Sequence, residues 1–210
     1  MRHSPVNAGL SLLVVTMLTA CGGSKSQSND ATSDTSEGPD TSLPVALDKQ
    51  VQPALISDAA LKSCVEKTGV QTVDQLQILE CTDSRISDLS GLEQFQSLVV
   101  LNLSNNNITD LAPVAALKTL ASLTINHNEI SSFSPISPLQ SLKTLSITHN
   151  KVTEIGDVAD MQNLKKLYAD NNQIADLNPV IDSKLEFLVA HNNPAPLPHG
   201  MPKSIRSFRI

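Results

Sequence analysis

The chain repeats itself. Leu76, Leu98, Leu120, Leu142, Leu164 and Leu185 each open the template L-x-x-L-x-L-x-x-N-x-I-x-x-L, and the first four intervals are each 22 residues. A fixed period of this length makes each copy one supersecondary unit whose apolar side is covered by the next copy. Such a chain stacks into a solenoid instead of closing around one central core. We number the copies rung one (from Leu76) to rung six (from Leu185).

Within a rung the L-x-L pair alternates with polar residues, which predicts a short strand with one buried face. Successive rungs then pair these strands in parallel at about 4.8 Å. The ninth position holds Asn106, Asn128, Asn150, Asn172 and Asn193. A primary amide both donates and accepts, so it can satisfy backbone groups where the chain turns inward. Rung one has the shorter Ser84 there. The return legs begin at Ser90-Gly91, Ala112-Pro113, Ser134-Pro135, Gly156-Asp157 and Asn178-Pro179. Proline just inside the start suits a helical turn, and about eight residues are enough only for a 3₁₀ turn. Aromatics make up 2% of the chain and Trp is absent, so the core is built from stacked Leu and Ile. A net charge of −6 speaks against a nucleic-acid partner, which calls for a basic face.

This template resembles the leucine-rich repeat family, in particular the 22-residue class found in bacterial internalins. The resemblance covers about residues 76–197. It implies an α/β repeat solenoid: a right-handed superhelix with a concave parallel sheet, 3₁₀ turns on the convex side and an N-terminal cap helix. It also implies recognition of another protein by the concave face, without catalysis. The pattern departs late. Rung five is 21 residues and rung six is 20, and "NNPAPLPHGMPKS" is too Pro-rich for a regular return leg. Residues 205–210 read as one more strand with no C-terminal cap visible, an edge blunted by Arg206 and Arg209.

The N-terminus reads as a targeting segment. Arg2 and His3 precede an apolar run from Leu10 to Leu18, too short to span a bilayer, and the run ends in Leu18-Thr19-Ala20-Cys21. Here the sequence resembles a bacterial lipoprotein signal. That implies cleavage after residue 20, lipid on Cys21, a membrane association through this lipid and residence in the bacterial cell envelope. Gly22, where Asp could stand, resembles the outer-membrane sorting pattern over the inner one if the cell is Gram-negative. Residues 22–42 lack any large apolar side chain and cannot offset their ordering entropy. About thirty residues of this kind span about 30 Å r.m.s.. The expected organisation is a signal peptide (1–20), lipidated Cys and tether (21–56), cap (57–75) and repeats (76–210). Residues 43–56 are more apolar than the rest of the tether and have no assigned place. In the cap, Ser57 is the expected N-cap of a helix over 57–68. Ile56 and Leu61 form its staple and Gly69 ends it.

Cys64 lies on the cap helix and Cys81 on the inward side of the first strand. If the helix covers that rung, the sulfurs can meet in a disulfide, which an exported compartment permits. The alternative is two buried thiols acting as small hydrophobes.

The exposed strand positions carry the functional information. Those of rungs one to four read as small and polar. Rungs five and six bring Tyr168 and Phe187, two of only five aromatics, side by side. Exposed aromatics are the usual anchors of an interface. We therefore expect a protein-binding patch at Tyr168, Asp170, Phe187, Val189 and His191; the competing reading has the irregular C-terminal segment covering Phe187 and Val189. His127 and His149 share one repeat position near Asp170 and His191. Such groups can ligate metal, but "NHN", "THN" and "HNN" read as copies of the repeat, and we assign no metal and no cofactor. No G-x-S-x-G, H-E-x-x-H, phosphate loop or EF-hand pattern occurs. Two functions remain: recognition of a protein by the concave face, or a structural envelope component that self-associates or binds cell-wall polymer.

Overall fold

The computed structural model describes residues 49–200 and 203–209. The signal segment, Cys21 and most of the tether lie outside these residues. Seven strands form one open sheet in strictly sequential order: β1 (Ile78–Glu80), β2 (Val100–Asn102), β3 (Ser122–Thr124), β4 (Thr144–Ser146), β5 (Lys166–Tyr168), β6 (Phe187–Val189) and β7 (Ser207–Arg209). All six pairings are parallel, and the register advances by one repeat each time: Leu79 faces Leu101, then Leu123, Leu145, Leu167, Leu188 and Phe208. Equal spacing in sequence thus becomes a continuous row of Leu in the core.

The return legs are 3₁₀ turns at Leu92–Gln94, Ala112–Ala116, Ser134–Ile136, Gly156–Ala159 and Asn178–Asp182. Three carry Pro in their first two positions. Each places one apolar residue inward: Leu92, Val114, Ile136, Val158 and Val180 are all buried.

The asparagines couple the rungs. Asn128 Oδ1 accepts the Ile108 N–H of the preceding rung, while its Nδ2 donates to Leu103 O of that rung and to Ile125 O and Asn126 O of its own. Asn106, Asn150 and Asn172 repeat this arrangement, and all four are buried. Asn193 also repeats it, half-buried. Ser84 has no earlier rung to serve; its Oγ donates to Thr82 O within its own.

The cap corrects the sequence reading in two places. The helix α1 runs Ala59–Lys67 and its N-cap is Asp58, not Ser57. Asp58 wins because one carboxylate oxygen accepts from the Ala60 and Leu61 N–H while the other reaches Ser87 N of rung one. Serine has one oxygen and could do only the first job. Burial raises the Asp58 pKa, but the four backbone donors of Ser87, Leu61, Asp88 and Ala60 outweigh it and hold the carboxyl below its ordinary value. Ile56 and Leu61 are both buried, although the shifted cap changes their positions relative to the helix start.

The second correction concerns the tether. Residues 49–56, which the sequence left without a place, pack on the domain: Gln50 bridges Thr72 antiparallel, Pro53–Leu55 form a 3₁₀ turn, and Ile56 enters the core. Gly91 permits this packing. Its φ is +95°, and a Cβ there would stand 2.6 Å from Leu55 O. Cys64 and Cys81 form a disulfide, with Cα atoms 5.9 Å apart. The cap is therefore fixed to rung one covalently, by the Asp58 carboxylate and by apolar packing.

Candidate functional site

Burial alternates along every strand of rungs two to six, with the middle Leu buried and its two neighbours open to solvent. The solvent-facing positions form two rows across the sheet. One runs Thr144, Lys166, Phe187, Ser207; the other runs Ser146, Tyr168, Val189, Arg209. Tyr168 and Phe187 sit diagonally across β5 and β6. Their ring centroids are 5.1 Å apart and the rings are tilted by 47°, the offset geometry that aromatic pairs favour. Both are half-buried, as is Val189. The strands place them there because positions three and five of the template flank the buried Leu.

The described residues of the Pro-rich segment are anchored away from this patch. Ala195 N donates to Ile174 O, and the His199 N–H donates to Asn178 Oδ1. Both partners lie on the far side of rung five, so the segment serves as the return leg of rung six. What borders Phe187 and Val189 is β7, through Ser207 and Arg209.

The other two residues of the expected patch behave differently from one another. Asp170 is half-buried, and its Oδ1 accepts the His191 N–H at 2.8 Å. It resembles Asn126, whose Oδ1 accepts the Thr148 N–H one rung on. Asp170 thus has a positioning task between rungs. The His191 side chain is exposed at the edge of the patch.

His127 and His149 stack with centroids 4.1 Å apart and planes 16° from parallel. Ring nitrogens ligate in the ring plane, so parallel rings do not converge on one ion. A backbone reason accounts for both residues. The eighth position lies in the left-handed region in every rung, at Asp83, Asn105, His127, His149, Asn171 and Asn192. Asn, Asp and His are the non-glycine residues enriched there.

One part of the sequence reading fails. The first rungs are not uniformly polar: Ile78 is 60% exposed and Val99 38%, with Val100 half-buried beside them. Positions two and three of the template hold them. Reading the outward positions of rungs one and two from position two, instead of from Glu80 and Asn102 at position five, would have found them.

The comparisons with known proteins follow this geometry. The family model for Leucine Rich repeats (2 copies) matches residues 74–116, 96–138 and 140–182, which together take in just over half of the chain. The chain belongs to the leucine-rich repeat family. Among solved structures, internalin C2 from Listeria monocytogenes is 30% identical with a TM-score of 0.64, covering 69% of this chain and 70% of that one. This likeness places the leucine-rich repeat protein in the internalin-like class. A Listeria internalin, inlF, is 22% identical with a TM-score of 0.66 over 72% of this chain and 48% of that one, a likeness of fold alone. This leucine-rich repeat chain therefore spans about half the length of that internalin. A leucine-rich repeat protein of Leptospira interrogans is 28% identical with a TM-score of 0.59, over 65% of this chain and 37% of that one. No curated protein matches the sequence. Leucine-rich repeat folds of this class are typically binding proteins and suit protein–protein interaction.

Proposed function

We propose that this is a lipid-anchored protein of the bacterial cell envelope that recognises another protein through the concave face of its repeats, without chemistry of its own. The observation that carries this reading is the Tyr168–Phe187 pair. Of the five aromatics, Phe95 and Phe133 are buried in the core and Phe208 packs against it, whereas Tyr168 and Phe187 touch each other on the solvent side of the sheet. Half-exposed rings next to Val189 lose water on docking, and they lose little conformational entropy because each has two side-chain torsions. Tyr168, Phe187 and Val189 form the contact centre, and His191 lies at its rim. Asp170 acts by holding rung six in place.

The lipid reading rests on the Leu18-Thr19-Ala20-Cys21 signature and supplies a tethered display of the domain. Crosslinking and pull-down from intact cells, with protease shaving, tests the recognition. A specific partner lost with Tyr168→Ala and Phe187→Ala supports it; a partner captured equally by both variants refutes it. Metabolic palmitate labelling that persists in Cys21→Ala would refute the anchor.

A further inference from the structure

The sheet is electrically asymmetric. At positions two, three, five and seven, rungs one to three contain no cation and one acid, Glu80. The same positions from rung four to β7 contain Lys143, Lys165, Lys166, Arg206 and Arg209. Against them stand Asp170 and Glu186, and both are engaged. Glu186 pairs with Lys165 at 3.6 Å, and Asp170 accepts the His191 N–H. Lys143, Lys166, Arg206 and Arg209 are all exposed, and among the described residues none has a carboxylate partner.

The placement is close. Lys166 lies in register beside Phe187, and Arg209 beside Val189, on neighbouring parallel strands. Two strand steps of about 4.8 Å separate Lys166 from Arg209, so at low salt, where the Debye length exceeds about 10 Å, their fields add at the patch between them. All this occurs on a chain whose net charge is −6. Nothing in the fold requires it, because the sheet positions of rungs one to three are filled without any cation.

We propose that the ligand of this face is an acidic polypeptide segment that carries a large apolar side chain. The apolar group packs on Tyr168, Phe187 and Val189, and its flanking carboxylates meet Lys143, Lys166, Arg206 and Arg209. The proposal rests on recognition by the concave face and adds the chemistry of the partner. A polyanion without side chains would use the cations but leave the apolar strip between them unexplained.

The test is selection of phage-displayed random peptides on the full chain at low salt. The enriched peptides are expected to be net negative and to contain Trp, Phe, Leu or Met. Tyr168→Ala or Phe187→Ala weakens their binding about tenfold or more. Lys166→Glu or Arg209→Glu weakens it roughly threefold each, and raising NaCl from about 50 to about 500 mM weakens it about tenfold. Thr144→Gln, at a half-buried position in the same row, should leave binding unchanged, and a loss there as large as that of Lys166→Glu would overturn the role of the cations. Neutral or basic peptides that still depend on Phe187 overturn the acidic partner and leave concave-face recognition standing. Peptides indifferent to Tyr168 and Phe187 overturn both. Dextran sulfate binding unaffected by Phe187→Ala, with no acidic peptide enriched, assigns the cations to a polyanion and overturns the proposal.

Discussion

Rungs two to four and the region from rung five to β7 share one interior and differ on the surface. In both, a Leu row runs through the core and an Asn ladder joins each rung to the one before. On the sheet's solvent face, rungs three and four show Ser122, Thr124, Ser146 and Thr148 apart from Lys143, and rung two adds Val99 and Val100, whereas rungs five and six show Lys166, Tyr168, Phe187 and Val189. Short polar side chains there add little to stability, and stability does not ask for rings or cations. The contrast separates what the solenoid needs in order to stand from what it offers to a partner. It also sets the ladder against the surface as targets for mutation.

The largest effect is expected in the ladder. Asn128→Ala leaves the Ile108 N–H buried without a partner and removes the three bonds that Asn128 Nδ2 donates, although Leu103 O keeps the Asn106 amide as donor. The unpaired N–H costs about 1–3 kcal/mol and the three lost amide bonds about 0.5–1.5 kcal/mol each, so a loss of roughly 3–5 kcal/mol should appear in denaturant unfolding. Asn193→Ala, half-buried in rung six, should cost less than half of that; equal losses would show that the two regions do not differ in coupling. Next comes the cap. Opening the Cys64–Cys81 bridge by Cys64→Ser with Cys81→Ser removes roughly 3 kcal/mol by the chain-entropy estimate, read as a lower melting temperature that reducing agent no longer changes.

Gly91→Ala forces a side chain into left-handed backbone against Leu55 and should cost about 1–3 kcal/mol. Asp58→Ala should cost about 1 kcal/mol, the usual value of an N-cap, and more where the link to Ser87 matters. The Asp58 carboxyl has a depressed pKa in the fold, so its contribution is complete above the ordinary value of 3.8 and is lost as pH falls through the lower folded value. The wild type and Asp58→Ala should therefore converge in stability at strongly acidic pH, diverge as pH rises towards 3.8, and differ by a constant amount above it. Divergence that grows instead on acidification would refute the assignment. The smallest effect belongs to Thr144→Ala, expected within about 0.5 kcal/mol in stability and neutral in binding. A binding loss there as large as that of Phe187→Ala would erase the distinction between the regions.

The fold was readable because the repeat states its own register. Once Leu79 aligns with Leu101, every further strand, 3₁₀ turn and ladder Asn follows by translation. Tyr168 and Phe187 were readable for the same reason. Elsewhere local patterns did not decide. Asp58 displaced Ser57 because its second carboxylate oxygen has a partner 29 residues away. Residues 49–56 joined the cap through contacts with Thr72 and Gly91 that no local pattern announces. Ile78 and Val99 were overlooked because an apolar residue next to a strand reads as core unless its side is known.

By itself, then, the sequence determined the architecture, the parallel order of the strands, the rung-to-rung ladder and the pairing of two aromatics across adjacent rungs. Periodicity carries all of these, since a repeated unit can bury its apolar side only against its own copy. Tertiary structure decided how the cap is fastened, what the eighth position demands of its backbone, which carboxylates are already occupied and which cations remain open to a ligand. These depend on distances between atoms in different rungs, and charge and hydrogen bonding act through such distances regardless of order along the chain.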